Sequence, residues 1–217
     1  CKNYLENCEF LEISNEILSR LLEGDLSEGT KSYQYLGDNL NFNKFSNNNF
    51  KNSLVYEGTK ILFDDGIEIE INDLNNKIEI TQNISQSKIL FLNGKLSDKD
   101  IVYSGATNIL KNYSSTDING LTGCLTFSNL NLVNVNIEAN GSSCEDTINL
   151  INVSGNLNNI SIKNSYSDAL DVDFSNIKVN NINILNAGND CVDFSYGSYY
   201  LGNLKMQQCG DKSLSVG

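Results

Sequence analysis

Residues 143–150 read SCEDTINL, 166–173 YSDALDVD, 188–195 GNDCVDFS and 210–217 GDKSLSVG. Aligned on Asp146, Asp168, Asp190 and Lys212, these stretches repeat with a period of 22 residues. One column holds Asp146, Asp168, Asp190 and Lys212. Two positions on stand Ile148, Leu170, Val192 and Leu214, and four positions on stand Leu150, Val172, Phe194 and Val216, with polar residues between. The second half of each unit behaves alike, with columns Leu157/Val179/Leu201, Ile160/Ile182/Leu204, Ile162/Ile184/Met206 and Asn164/Asn186/Gln208. Leu125, Phe127, Val135 and Ile137 read as one earlier, slightly longer unit.

A unit of this length, built of short runs of period two with polar corners and an Asn column, predicts one coil of a right-handed parallel β-helix. Coils stacked at about 4.8 Å turn identical columns into ladders of buried aliphatics and hydrogen-bonded amides. A leucine-rich repeat has a similar period, but it would replace one strand by a helical segment, whereas TINLI and DVDF alternate as strands do. Upstream, Ile67, Ile69 and Ile71 alternate with Glu68 and Glu70, Ile78 and Ile80 bracket Glu79, and Ile89 and Phe91 continue the pattern. Residues 106–121 break this rhythm and predict a loop. Phe10, Leu11, Ile13, Ile17, Leu18, Leu21 and Leu22 recur at helical spacing, with Gly24 placed as a C-cap. The helix over residues 9–23 is expected to cover the solenoid's N-terminal edge, since an open coil is an unpaired sheet edge. Residues 1–55 thus form the cap helix and an irregular segment, and 56–217 the β-helix, which is expected to continue past Gly217.

The 217 residues carry a net charge of −12 and no basic stretch, which argues against a nucleic-acid partner. The absence of His removes Ser-His-Asp triads, Cys-His dyads and His-ligated metals. No apolar run is long enough for a transmembrane helix. Abundant Asn, a single Arg20 and no Pro read as compositional bias. Six Cys fall in sequence-close pairs: Cys1 with Cys8, Cys124 with Cys144, and Cys191 with Cys209. This favours an oxidising compartment, extracellular, cell-surface or periplasmic, with Cys1 either lipidated or paired. Cys124 and Cys191 each follow the corner column by one position, and Cys144 and Cys209 precede it in the next coil. Disulfides 124–144 and 191–209 would therefore share one geometry, against the alternative of four buried small apolar residues.

The segments Tyr166 to Asp171, Gly188 to Phe194 and Gly210 to Val216 resemble, in order and spacing, the three active-site segments of the polygalacturonases. These family 28 glycoside hydrolases have the pectin-lyase-like β-helix fold and the pattern Asn-Thr-Asp-Gly, Gly-Asp-Asp-Cys and Gly-His-Gly-hydrophobic-Ser. The resemblance implies catalytic roles for Asp168 and Asp190, with Lys212 at the position of the His. Asn189 stands where that family has the first of its paired aspartates. Carboxylates one coil apart lie nearer the retaining than the inverting separation. A calcium-dependent elimination of the pectate-lyase kind would leave Lys212 as the candidate base, because Arg20 lies in the cap helix. The bland alternative is that the Asp column accepts hydrogen bonds from turn N–H groups.

Asp171, Asp173 and Asp193 sit at outward positions of adjacent coils and offer the oxygen ligands that calcium prefers. Tyr196, Tyr199 and Tyr200 form an aromatic cluster on which a sugar ring could stack, or which merely suits strands and turns. The reading that follows is a secreted or surface β-helix module that engages polysaccharide, with a degenerate pectinase-like site. The alternative is a structural or adhesive stalk within a larger surface protein.

Overall fold

The computed structural model describes residues 50–107 and 114–217. The described residues belong to one unit of the chain, Asn49–Gly217. The helix expected over residues 9–23, and with it Cys1 and Cys8, lies outside the described residues.

Fourteen strands follow one another: β1 Asn52–Tyr56, β2 Thr59–Phe63, β3 Ile67–Asn72, β4 Lys77–Gln82, β5 Ile89–Ser97, β6 Asp100–Ser104, β7 Gly123–Asn140, β8 Asp146–Ile151, β9 Ser154–Ser165, β10 Asp168–Asp173, β11 Asn176–Ala187, β12 Val192–Ser195, β13 Ser198–Cys209 and β14 Leu214–Val216. Strands β5, β7, β8, β10, β12 and β14 pair in parallel, each with the next. A second parallel series runs β7, β9, β11, β13. The molecule is an all-β parallel solenoid.

The register reproduces the repeat columns residue for residue. Ile148 lies beside Leu170, Leu170 beside Val192 and Val192 beside Leu214; Leu150, Val172, Phe194 and Val216 form the parallel row. Both rows extend back through Leu125 and Phe127 to Ile89 and Phe91. Their side chains are almost wholly buried up to β12, and Phe91 stacks on Phe127 at 4.9 Å between ring centroids. Burial on this scale, at about 25 cal/mol per Å² of apolar surface, is the main stabilising term. The earlier unit is one residue longer: Leu125 lies beside Ile148 and Asn140 beside Lys163, and the irregularity around Val135, where Asn134 adopts a left-handed φ of 56°, leaves that spacing unchanged on either side.

Two corners are left-handed columns. Asn93, Asn129, Asn152, Phe174 and Tyr196 share positive φ at the end of one strand series, and Asn164, Asn186 and Gln208 at the end of the other. Asn tolerates this conformation better than most residues, because its short polar side chain can hydrogen-bond locally. Its amides also form ladders: Asn159 donates to Asn136, Asn181 to Asn159 and Asn203 to Asn181 at 2.7, 2.9 and 3.0 Å. The Asn content that reads as compositional bias therefore has structural positions to fill.

The solenoid does not begin as a parallel coil, which corrects the assignment of the whole of residues 56–217 to one. Strands β1 and β2 form an antiparallel hairpin across Glu57 and Gly58, both with positive φ, and β3 and β4 form another. Strand β1 also reaches into the segment expected to be irregular. Its sequence NSLVY is half exposed, with Val55 turned to solvent, so it presents no fully buried face. The parallel order starts where β4 meets β6 and β5 meets β7. The described parts of 106–121 form turns, with Asp117 Oδ1 accepting from the N–H groups of Asn119 and Leu121.

Both expected disulfides are present, Cys124–Cys144 and Cys191–Cys209, with Cα separations of 5.4 and 5.3 Å. Among the described residues, no helix is long and apolar enough to cross a membrane.

Close stacking makes Gly155 critical. Gly155 has φ of +113°, and a Cβ there would collide with the Leu132 carbonyl in the preceding coil. Gly155→Ala is expected to cost roughly 2–3 kcal/mol, read as a lowered urea midpoint at unchanged m-value.

Candidate functional site

The corner aspartates bind backbone. Asp168 Oδ1 accepts from the Asp190 N–H at 2.8 Å and from the Asn189 amide at 2.8 Å. Asp190 Oδ1 accepts from the Lys212 N–H at 2.7 Å. Each carboxylate thus holds the next coil, and the residue standing in place of a paired aspartate orients the first of them. Lys212 Nζ lies 3.3 Å from Asp190 and 3.1 Å from Asp211, and these two partners raise its pKa, Asp211 the more. Asp168 is held above the ordinary carboxylate range by burial, against the hydrogen bonds from Asp190 and Asn189. Asp168, Asp190 and Lys212 are therefore brought together, one coil apart, in an arrangement that closes turns.

The outward side of β8, β10 and β12 is more unusual. Asn149, Asp171 and Asp193 lie side by side in the register, with Asp146 beside Asp168 and Ile151 beside Asp173. The Asn149 amide donates to Asp171 at 2.7 Å and reaches Asp146 at 3.4 Å and Asp173 at 3.5 Å. Burial is the first cause that pushes these carboxyls up, Asp171 to about 9, Asp146 to about 7 and Asp173 to about 6. Repulsion from neighbouring carboxylates adds to it at each, and hydrogen bonding offsets it at Asp146 and Asp173.

Asp171, Asp173 and Asp193 are thus neighbours, as expected. Among the described residues, however, no three acidic, Cys or His side chains gather around a common metal position. One oxygen each of Asp171 and Asp173, the Oδ2, accepts from the Asn149 amide.

Two participants escape the sequence reading. Asn149 belongs to the outward column Thr126, Asn149, Asp171, Asp193, Ser215, which the 22-residue period already contains. Lys88 lies outside the repeat and has no such signal. It is 3% exposed, and its Nζ donates to the Thr122 carbonyl at 2.9 Å. Burial lowers its pKa, opposed by Asp117, Asp146, Asp64 and Glu145. This ammonium ties the 114–122 turns to β5 beside Asp146.

The three tyrosines separate. Tyr199 packs on Phe194 at 4.6 Å, with its hydroxyl 3.0–3.1 Å from the carbonyls of Val172, Ser195 and Tyr196. It braces the turn rather than offering a free face. Tyr200 is exposed under Lys178, whose Nζ lies 5.0 Å from the ring centroid. Tyr196 is 66% exposed and stacks on Phe174, with ring centroids 5.3 Å apart and planes within 3° of parallel. Phe174 follows Asp173 directly, so this ledge borders the acidic face.

The fold and this face define the chain as a disulfide-bonded parallel β-helix protein with a half-buried carboxylate row on its surface. Comparison with protein-family models, curated proteins and solved structures found no match to it, so the polygalacturonase likeness rests on the three quoted segments alone.

Proposed function

We propose that this chain is a carbohydrate-engaging β-helix module of an extracellular or surface protein, with the glycan lying along β8, β10 and β12 and stacking on Phe174 and Tyr196. The observation that carries this reading is the aromatic ledge. Two bulky rings occupy left-handed positions, with φ of 50° and 45°, in a column where preceding coils use Asn. Such a conformation costs an aromatic residue about 1–2 kcal/mol, and strain of this kind concentrates at functional positions. The exposed Tyr196 ring, backed by half-buried Phe174 and set beside hydrogen-bonding carboxyls, is the kind of surface a pyranose uses, with an apolar sugar face on the ring and hydroxyls paired.

The reading favours binding over cleavage. Asp168 and Asp190 each commit their Oδ1 to a backbone N–H group, and the Asn189 amide is no acid for a leaving group. The disulfides support an oxidising compartment. A polysaccharide panel tests both halves of the proposal. Tyr196→Ala should weaken binding about tenfold with the unfolding midpoint unchanged, and no reducing or unsaturated ends should appear. Unaltered affinity in this variant would favour the alternative of a structural or adhesive stalk, and release of new chain ends would restore the pectinase-like site.

A further inference from the structure

Charge is segregated between the two parallel strand series. From residue 143 to 217, every Asp and Glu lies on β8, β10 or β12 or in the turns that lead into β8, β12 and β14, and β9, β11 and β13 hold none. Those three strands carry Lys163, Lys178 and Lys205 instead, all exposed. Lys51, Lys77, Lys99 and Lys212 are paired with carboxylates, whereas among the described residues no ion pair reaches Lys163, Lys178 or Lys205. A chain with net charge −12 thus keeps an acid-free strip with unneutralised ammonium groups. The neighbouring strand β7 brings one acid to its margin, Glu138 beside Ser161.

The same strip is lined by amides. Asn136 donates to Asp100, and Asn159, Asn181 and Asn203 each donate to the Asn one coil back. A ladder bond uses one of an amide's two N–H groups, so Asn159 and Asn203 each keep one for a bound molecule. The acidic strands do not cancel this strip. They belong to another side of the coil, about 10 Å away across the core, and at physiological salt charges more than about 8 Å apart are largely screened. Lys163 and Lys205 are two strands and two residues apart in the register, roughly 12 Å at ordinary strand spacings. A small anion cannot bridge them, but a polymer can.

We propose that β9, β11 and β13 form a second binding face, for an acidic polysaccharide whose anionic groups meet Lys163, Lys178 and Lys205 while its hydroxyls meet the Asn row. Ammonium groups spaced by amides match a chain whose charges are spaced by hydroxyl-bearing rings. Duplex DNA instead places a charge at every 1.7 Å or so of its axis, and an acidic peptide has no hydroxyls for the amides. The face uses none of the residues of the aromatic ledge and stands independently of it.

The test is a calorimetric titration of the full chain with alginate, heparin fragments, polyglutamate and duplex DNA. Alginate and heparin fragments should bind more tightly than the other two. With surface ion pairs of ordinary strength, Lys163→Gln/Lys178→Gln/Lys205→Gln should weaken them about tenfold. Its unfolding midpoint should stay unchanged, because all three side chains are exposed. Tyr196→Ala should bind both acidic polysaccharides like the parent. Undiminished binding in the lysine variant, or equal binding of polyglutamate or DNA, would overturn the proposal. Loss of binding in Tyr196→Ala would also overturn it, by moving the acidic glycan to the aromatic ledge. Binding of neither acidic polysaccharide would remove this face and leave the ledge to uncharged glycans.

Discussion

Lowering the pH from 8 to 5 should stabilise this protein, and Asp171→Asn should remove about half of that dependence. Asp146, Asp171 and Asp173 have folded-state pKa values near 7, 9 and 6, all above the ordinary 3.8. A carboxyl whose pKa is raised on folding keeps its proton in the native state where the unfolded chain has released it. Its contribution is fully present below the unfolded pKa and is lost as pH rises through the folded value. From pH 4 to 9 the native state therefore binds more protons than the unfolded chain, and stability falls by about 1.4 kcal/mol per pH unit for each extra proton. Allowing for relaxation and water penetration, the gain from pH 8 to 5 is roughly 2–4 kcal/mol. At about 2–4 °C per kcal/mol, it is visible in a melting scan.

In Asp171→Asn the amide takes the place of the protonated carboxyl. It accepts from Asn149 and donates to Asp173 without the repulsion. The variant should be about 2 kcal/mol more stable than the parent at pH 8 and nearly equal to it at pH 4. Urea unfolding at pH 4, 6 and 8 checks both statements. A parent curve that is flat, or that falls on acidification, would mean that these carboxyls are solvated and ionised.

Losing either disulfide should have an effect of comparable size. The two bridges close loops with sequence separations of 20 and 18, for which the chain-entropy model gives about 3 kcal/mol each. Cys124 and Cys144 are both buried, so Cys124→Ala/Cys144→Ala also leaves unfilled core and should be the costlier pair. Cys191→Ala/Cys209→Ala frees a partly buried corner near the last coil and should cost close to the entropic term alone. Intact mass after denaturation and alkylation without reductant should show none of the four thiols labelled. Labelling of all four would remove the bridges, and with them the main support for an oxidising compartment.

The repeat columns were legible because in a parallel solenoid each coil stacks on its sequence neighbour. Contact register and sequence period are then the same quantity, and Leu170 beside Val192, or Val179 beside Leu201, follows from the 22-residue period. The cysteine pairs were legible for the same reason, as corner positions of adjacent coils. By itself the sequence determined the coil, its apolar rows, its Asn corner and its bridges. It could not determine the hairpin start, because antiparallel and parallel strands share one period-two pattern and differ only in their partners.

The site was legible as a row of outward aspartates, but not in its chemistry. That Tyr199 turns in while Tyr196 lies flat on Phe174 depends on backbone conformation at the corner, where neighbouring residues diverge. That Asn149 carries three carboxyls depends on depth below the surface, which alternation does not encode. Lys88 reaches the Thr122 carbonyl across a non-repeating insertion, a contact no period announces. Tertiary structure alone decided these features, because they arise from side-chain direction and burial between segments that the repeat does not relate.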